Sequence, residues 1–331
     1  MIKTRVTELL GMEYPVIGGC MQWITGPEFT AAVCEAGALG VMSSAMFPTQ
    51  EEFRSALRRL KELTDRPFAV NLNLFPALRP IDNRLYAEVI LEEGGVTAVE
   101  TSGNRPPEEL VAMLKEGGLK LMHKCVSVRH ALSAQRAGAD AVTLFGYEGG
   151  GHIGSIATMS LVPRAVDAMD VPVIAAGGIA DGRGMLAALS LGAEAVLIGT
   201  RLLLTRECPM SEAVKESLLA AGEEDTVPLL GSVHNTIRVI RNRAAERAAE
   251  LERNGADFKE ILAVVAGSKT RGMLERGEVD LGILACSQSV GLLHDIVTVK
   301  EAIQGMVAQA EEIAGGLARA SGLREKGRDH A

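Results

Sequence analysis

Cysteine is scarce and scattered in this chain. The five residues, Cys20, Cys34, Cys125, Cys208 and Cys286, are odd in number and form no CxxC pair. That pattern argues against both a disulfide framework and a zinc site and fits a reducing cytoplasm. Long apolar runs are absent too. No stretch approaches about 18 residues, and the opening MIKTRVTELLGMEYP shows neither an apolar export core nor a small-residue cleavage pattern. Neither a membrane span nor an export signal is expected. Positive charge is in deficit: 34 Lys and Arg stand against 42 Asp and Glu, a net charge of -8. This disfavours a nucleic-acid partner, which would be held by clustered cations. A small-molecule substrate is the expected partner, and a homodimer is the assembly entertained.

Apolar residues are plentiful: 47% of the 331 residues are hydrophobic and 23% charged, enough to bury a sizeable core. From residue 14 to 200, short β-rich runs alternate with helical patterns, the signature of βαβ units around a parallel sheet. The runs are YPVIGG (14–19), ALGVMSS (38–44), PFAVNLNL (67–74), TAVETS (97–102), KLMHKCV (120–126), DAVTLFG (140–146), PVIAAGG (172–178) and EAVLIGT (194–200). Eight strands with intervening helices predict an α/β fold, a TIM (β/α)8 barrel. The alternative, a doubly wound open sheet, would carry its glycine fingerprint after the first strand, whereas glycine density here peaks late. Beyond the eighth strand, residues 205–276 read as almost entirely helical, a cap inserted after the barrel proper. The expected organisation is 1–204 barrel, 205–276 helical cap, and 277–331 a return to the barrel, a C-terminal helix and a disordered tail, EKGRDHA.

In a barrel, ligands meet the C-terminal strand ends, and phosphate groups favour the loops after strands seven and eight. Those strands end in Gly177-Gly178 and Gly199-Thr200, which offer bare backbone N–H groups and one hydroxyl to an anion; tight turns alone would use the same glycines. After strand six, GYEGGGHIGS (146–155) sets Gly149, Gly150 and Gly151 against His152. The glycines let backbone lie flat on a planar ligand, and the histidine is placed for proton transfer; a loop histidine hydrogen-bonded to backbone is the plainer alternative. Lys124 ends strand five in a run otherwise fit for burial, so its ammonium calls for an anionic partner, either an electron-rich cofactor ring or an internal carboxylate. Asn71 and Asn73 alternate with apolar neighbours and share one face of strand three. Cys125 is turned away from Lys124 and reads as packing. Met21, Gln22 and Trp23 follow strand one, the lone Trp reading as a wall residue. The arginines at 238, 241, 243, 247 and 253 read as the wet face of a cap helix.

The stretches YPVIGGCMQW, DRPFAVNLNL, ETSGNRP, HKCVSVRHAL, GGGHIG, PVIAAGGIADGRG, LGAEAVLIGTR and GEVDLGILACSQSVGL resemble the flavin-dependent nitronate monooxygenase family, which includes NADH:quinone reductases and flavin-type enoyl-acyl-carrier-protein reductases. The resemblance implies an FMN-binding barrel with the phosphate on the glycines after strands seven and eight. It places Met21, Gln22, Asn73, Lys124, Gly150, Gly177, Gly178, Gly199, Thr200 and Gln288 around FMN, and His152 as the catalytic residue facing the substrate. Four features depart from the family pattern. Gly18-Gly19-Cys20 stands where relatives often read Gln-Gly-Gly, Asn73 replaces Thr or Met, Phe145 replaces an acid, and Cys286-Ser287-Gln288 replaces Ala-Gly-Gln. The implied activity is oxidation of alkyl nitronates by oxygen. The alternative is an NAD(P)H-dependent reductase of quinones or enoyl thioesters with NAD(P)H as electron donor, and the second alternative is a non-flavin phosphate-binding lyase or isomerase.

Overall fold

The computed structural model describes residues 2–75 and 82–321, so the tail EKGRDHA lies outside the described residues. In chain order the strands are β1 (Val16–Gly18), β2 (Leu39–Ser43), β3 (Phe68–Leu74), β4 (Ala98–Gly103), β5 (Lys120–Cys125), β6 (Ala141–Phe145), the two-residue β7 (Gly151–His152), β8 (Val173–Ala176), β9 (Ala195–Ile198), β10 (Thr226–Leu229) and β11 (Ile237–Ile240). All eight expected strands are present. With β7 set aside, β1 to β9 close into a parallel barrel in which β9 pairs back to β1, Leu197 opposite Ile17. The eight-stranded barrel is therefore the observed architecture, and the open sheet is not.

Strand alternation divides the core. Residues facing inward near the strand starts, among them Ile17, Leu39, Ala69, Met122 and Ile174, form one apolar cluster closed off by Val6 and Leu10. Those two residues come from the helix Arg5–Leu10, which begins where the Thr4 hydroxyl accepts the Thr7 N–H at 3.2 Å and ends at Gly11, φ 66°. The outward-facing Val70, Leu72, Leu121 and Val142 pack with Phe53, Leu57 and Leu60 of the helix Gln50–Leu63. Each such side chain contributes about 1.5–3 kcal/mol on burial. Toward the C-terminal ends the barrel interior changes character: Ser43, Asn71 and Glu100 pair across β2, β3 and β4, and Lys124 pairs with Thr143 across β5 and β6. A barrel filled with hydrocarbon below and polar groups above has its chemistry at the upper mouth.

The stretch 205–276 departs from the all-helical expectation. It contains the helices Glu212–Leu219, Arg243–Arg253, Phe258–Val265 and Gly267–Arg276, but also β10 and β11, which pair antiparallel. β11 continues the sheet onto β7, with Ile237 opposite His152 and Arg238 opposite Gly151. Two β-branched isoleucines and a valine in four residues suit a short strand, and pairing on both edges overrides the helical character of the flanks. The helix starts only at Asn242, whose side chain accepts the Ala245 N–H at 2.8 Å. Arg238 is consequently not on a wet helix face: it is 2% exposed, lies 4.6 Å over the Tyr147 ring and donates to Thr226 Oγ1 at 3.0 Å. Arg243, Arg247 and Arg253 are exposed on that helix, as expected, whereas Arg241, also exposed, lies between β11 and the helix. The last described element, the helix Val299–Ala320, packs on the helix Gly182–Ser190. No helix among the described residues is long and apolar enough to cross a membrane.

Candidate active site

The glycines after β8 and β9 turn out to be parts of one construction. Gly177 and Gly178 have φ of 94° and 77°, a left-handed conformation that side chains resist. They fold the loop back so that the Gly178 N–H donates to Ser287 Oγ at 3.3 Å. Gly199 precedes the short helix Thr200–Leu203, whose N-terminus carries no side-chain cap. A Cβ on Gly199 would meet only Met21 Sδ, at 3.7 Å. Thr200 Oγ1 accepts the Ser287 N–H at 3.0 Å. Met21, Gly177, Gly178, Gly199 and Thr200 are thus gathered on one side of the mouth. Open space above uncapped backbone N–H groups is what a phosphate requires.

The triple glycine after β6 has a steric cause. A Cβ on Gly149 would fall 2.2 Å from the Phe145 ring, and one on Gly150 would fall 2.6–2.8 Å from the Cys286 backbone. The loop therefore lies flat between β6 and the returning chain, and β7 emerges from it in register with β11. Glu148 locks the arrangement from inside: its carboxylate accepts the Thr158 N–H at 2.9 Å and Oγ1–H at 3.0 Å. Its carbonyl accepts Ser287 Oγ–H at 2.7 Å and the Gln288 N–H at 3.0 Å. Gln288 is thereby held at the same rim. Glu148 and Ser287 escaped the sequence reading because their work is done through backbone partners far apart in the chain; the only signal was their place inside GYEGGGHIG and CSQS. The Cys286 thiol is pushed up to about 12 by burial, so it is protonated and no nucleophile.

Opposite this rim, the His152 ring stacks on Phe75, centroids 4.0 Å apart and 17° from parallel. Phe75 is placed by Asn73, whose Oδ1 accepts the Phe75 N–H at 2.9 Å. Asn73 therefore spends its oxygen on the chain itself. His152 as a residue is exposed, yet the protein packed around its ring, and then the Lys124 charge, push its pKa down to about 4. The imidazole is neutral at physiological pH and can accept a proton or donate one hydrogen bond. Lys124 meets the internal carboxylate that the sequence left as one of two partners: its Nζ lies 3.1 Å from Glu100 Oε2, with side-chain exposures of 17% and 1%. Asn71, facing the same way as Asn73, donates to that oxygen at 2.7 Å. Cys125 is buried on the other face, as expected. Gln22 follows Met21 at the same strand end and is exposed. Trp23, at φ 69°, borders a cavity of about 340 Å³ with Met46, Phe47 and Arg271.

A barrel mouth with a glycine-lined anion cradle on one rim and a lysine and neutral histidine on the other can hold a phosphorylated planar ligand and handle a substrate proton beside it. Comparison with known proteins identifies the family and the fold. The family profile described as nitronate monooxygenase matches residues 3–309. A Rhodococcus jostii protein, (3aS,4S,5R,7aS)-5-hydroxy-7a-methyl-1-oxo-octahydro-1H-indene-4-carboxyl-CoA dehydrogenase, is 34% identical over 93% of this chain and 96% of its own length. A Staphylococcus saprophyticus protein described as "Probable nitronate monooxygenase" is 31% identical, covering 94% of this chain and 99% of that one. Among solved structures, FabK from Thermotoga maritima superposes with a TM-score of 0.88 at 35% identity, covering 97% of this chain and all of that one (100%).

Proposed function

The chain belongs to the nitronate monooxygenase family and is an oxidoreductase; from that premise we propose that it binds FMN at the barrel mouth and oxidises alkyl nitronates with oxygen. The observation that carries the proposal is the pairing of the open cradle at Gly199 and Thr200 with an inward-facing lysine across the same mouth. The residues present fit the cofactor. Gly177, Gly178, Gly199 and Thr200 would hold its phosphate through backbone N–H groups, with Met21, Gln22, Gly150 and Gln288 along the near rim. Asn73 and Lys124 would face the ring from the far rim, Asn73 through its amide nitrogen, since its oxygen is taken by Phe75. When bound, FMN supplies the acceptor that passes substrate electrons on to oxygen.

The chain's own part is positional and protic. The neutral imidazole of His152 would hydrogen-bond the anionic substrate and manage its proton, while Phe75 keeps the ring plane fixed. Oxygen uptake and nitrite release with an alkyl nitronate, measured on FMN-loaded protein, test the reading, and no uptake above the free-FMN rate would reject it. One observation supports a second reading, reduction of an enoyl thioester or quinone by NAD(P)H: the likeness to FabK and to the CoA-thioester dehydrogenase runs almost end to end. In that case a nicotinamide would bleach the flavin. Family membership replaces the non-flavin lyase or isomerase reading.

A further inference from the structure

Among the described residues, Glu100 is the carboxylate that pairs with Lys124 inside the barrel, and its environment is unusual. Its side chain is 1% exposed. One oxygen, Oε2, accepts from Asn71 Nδ2 at 2.7 Å and pairs with Lys124 Nζ at 3.1 Å. The other, Oε1, is buried with no hydrogen-bond partner among the described residues, as is the hydroxyl of Thr143 opposite Lys124. Leaving a buried carboxylate oxygen unpaired is costly, and an apolar pair of similar volume would be at least as stable there. Stability alone is therefore a weak reason for a glutamate at this place. Both charges of the pair also act on the Cys20 thiol at the end of β1, so their influence extends across the mouth.

We propose that Glu100 is a positioning residue that fixes the Lys124 ammonium at the cofactor face and offsets its charge, setting how easily the bound flavin is reduced. The proposal rests on the FMN reading above. Reduction adds negative charge to the flavin, so a lysine whose charge is offset by an adjacent carboxylate stabilises the reduced form less than a bare lysine would. Asn71 completes the device by holding Oε2, so the carboxylate cannot swing away from Nζ.

The substitution Glu100→Gln separates charge from shape. The amide oxygen can take the place of Oε2 and accept both bonds, while the amide nitrogen takes the place of the already unpartnered Oε1. FMN-loaded wild type, Glu100→Gln and the double variant Glu100→Gln/Lys124→Met would be titrated anaerobically against a reference dye. At a fixed dye potential, Glu100→Gln should raise the reduced-to-oxidised flavin ratio tenfold or more, about 30 mV for a two-electron couple, and the double variant should return toward wild type. An unchanged ratio in FMN-loaded Glu100→Gln would overturn the inference and leave the FMN reading standing. A double variant that keeps the single variant's shift would also overturn it, assigning the effect to packing. Wild type that takes up no FMN would instead reject the reading on which the inference rests. If Glu100→Gln does not fold, Glu100→Asp carries the test: it withdraws the carboxylate from Nζ by one methylene and should shift the ratio in the same direction by a smaller factor, and no shift would overturn the inference.

Discussion

Neutrality of His152 is the most exposed consequence of the site's geometry. An unperturbed imidazole, pKa about 6.5, is about one-quarter protonated at pH 7. At about 4, where burial and Lys124 place it, only about one molecule in a thousand carries the proton at pH 7. The sign follows from which form the fold favours. Folding favours the neutral ring, so this group's contribution to stability is complete above about pH 6.5 and is lost as pH falls toward 4. Imidazole NMR on labelled protein reads the midpoint directly, with the His152 resonance identified by its loss in His152→Ala. The expected midpoint is near 4, rising in Lys124→Met by only part of the difference from 6.5, because the surrounding protein, the larger cause, remains. In turnover, His152→Ala should lower the rate about 10²-fold with FMN retained, equivalent to about 2.7 kcal/mol of barrel-mouth assistance to the transition state. A wild-type midpoint near 6.5, or full turnover without the imidazole, would refute the reasoning.

Other consequences can be checked independently. Gly178→Asp would put a carboxylate where a Cβ already meets Glu148 at 3.2 Å and where phosphate is expected; FMN should be lost from folded protein, as read by absorbance after gel filtration, and retained flavin would move the phosphate elsewhere. Leu39→Ala, at a wholly buried position inside the barrel, should cost about 2–5 kcal/mol in denaturant unfolding. The Cys286 thiol, held protonated by burial, should resist iodoacetamide in native protein at pH 8 and react once unfolded; rapid native alkylation followed by mass spectrometry would contradict its placement.

The barrel was legible because every strand announced itself twice, through a β-rich apolar run and through the Gly, Asp or Pro punctuation beside it. The loop glycines were legible as turns for a related reason, since Gly177 and Gly178 adopt the positive φ that glycine favours. The cap was misread where local and tertiary preferences conflict. Ile237–Ile240 is only four residues long ahead of arginine-rich helical sequence, and its strand state depends on its hairpin partner β10 and on β7, which lies 85 positions earlier in the chain. The same limit hid Glu100 and Ser287. Lys124 visibly needed an anion, but Glu100 sits 24 positions earlier, and only the register that sets Glu100 beside Asn71 and Ser102 beside Lys124 brings the three together. Asn73 shows the converse: its face was read correctly, but half of its amide is used by the turn at Phe75.

The central claim, an FMN-dependent oxidoreductase acting on nitronates, is tested most directly by one anaerobic visible spectrum of FMN-reconstituted protein, recorded before and after separate additions of an alkyl nitronate, NADH and NADPH. The account predicts a bound-flavin band that the nitronate bleaches and that oxygen restores. Bleaching by a nicotinamide with none by the nitronate would contradict it and assign the chain to the reductases of the family, and the absence of a bound-flavin band would contradict it altogether.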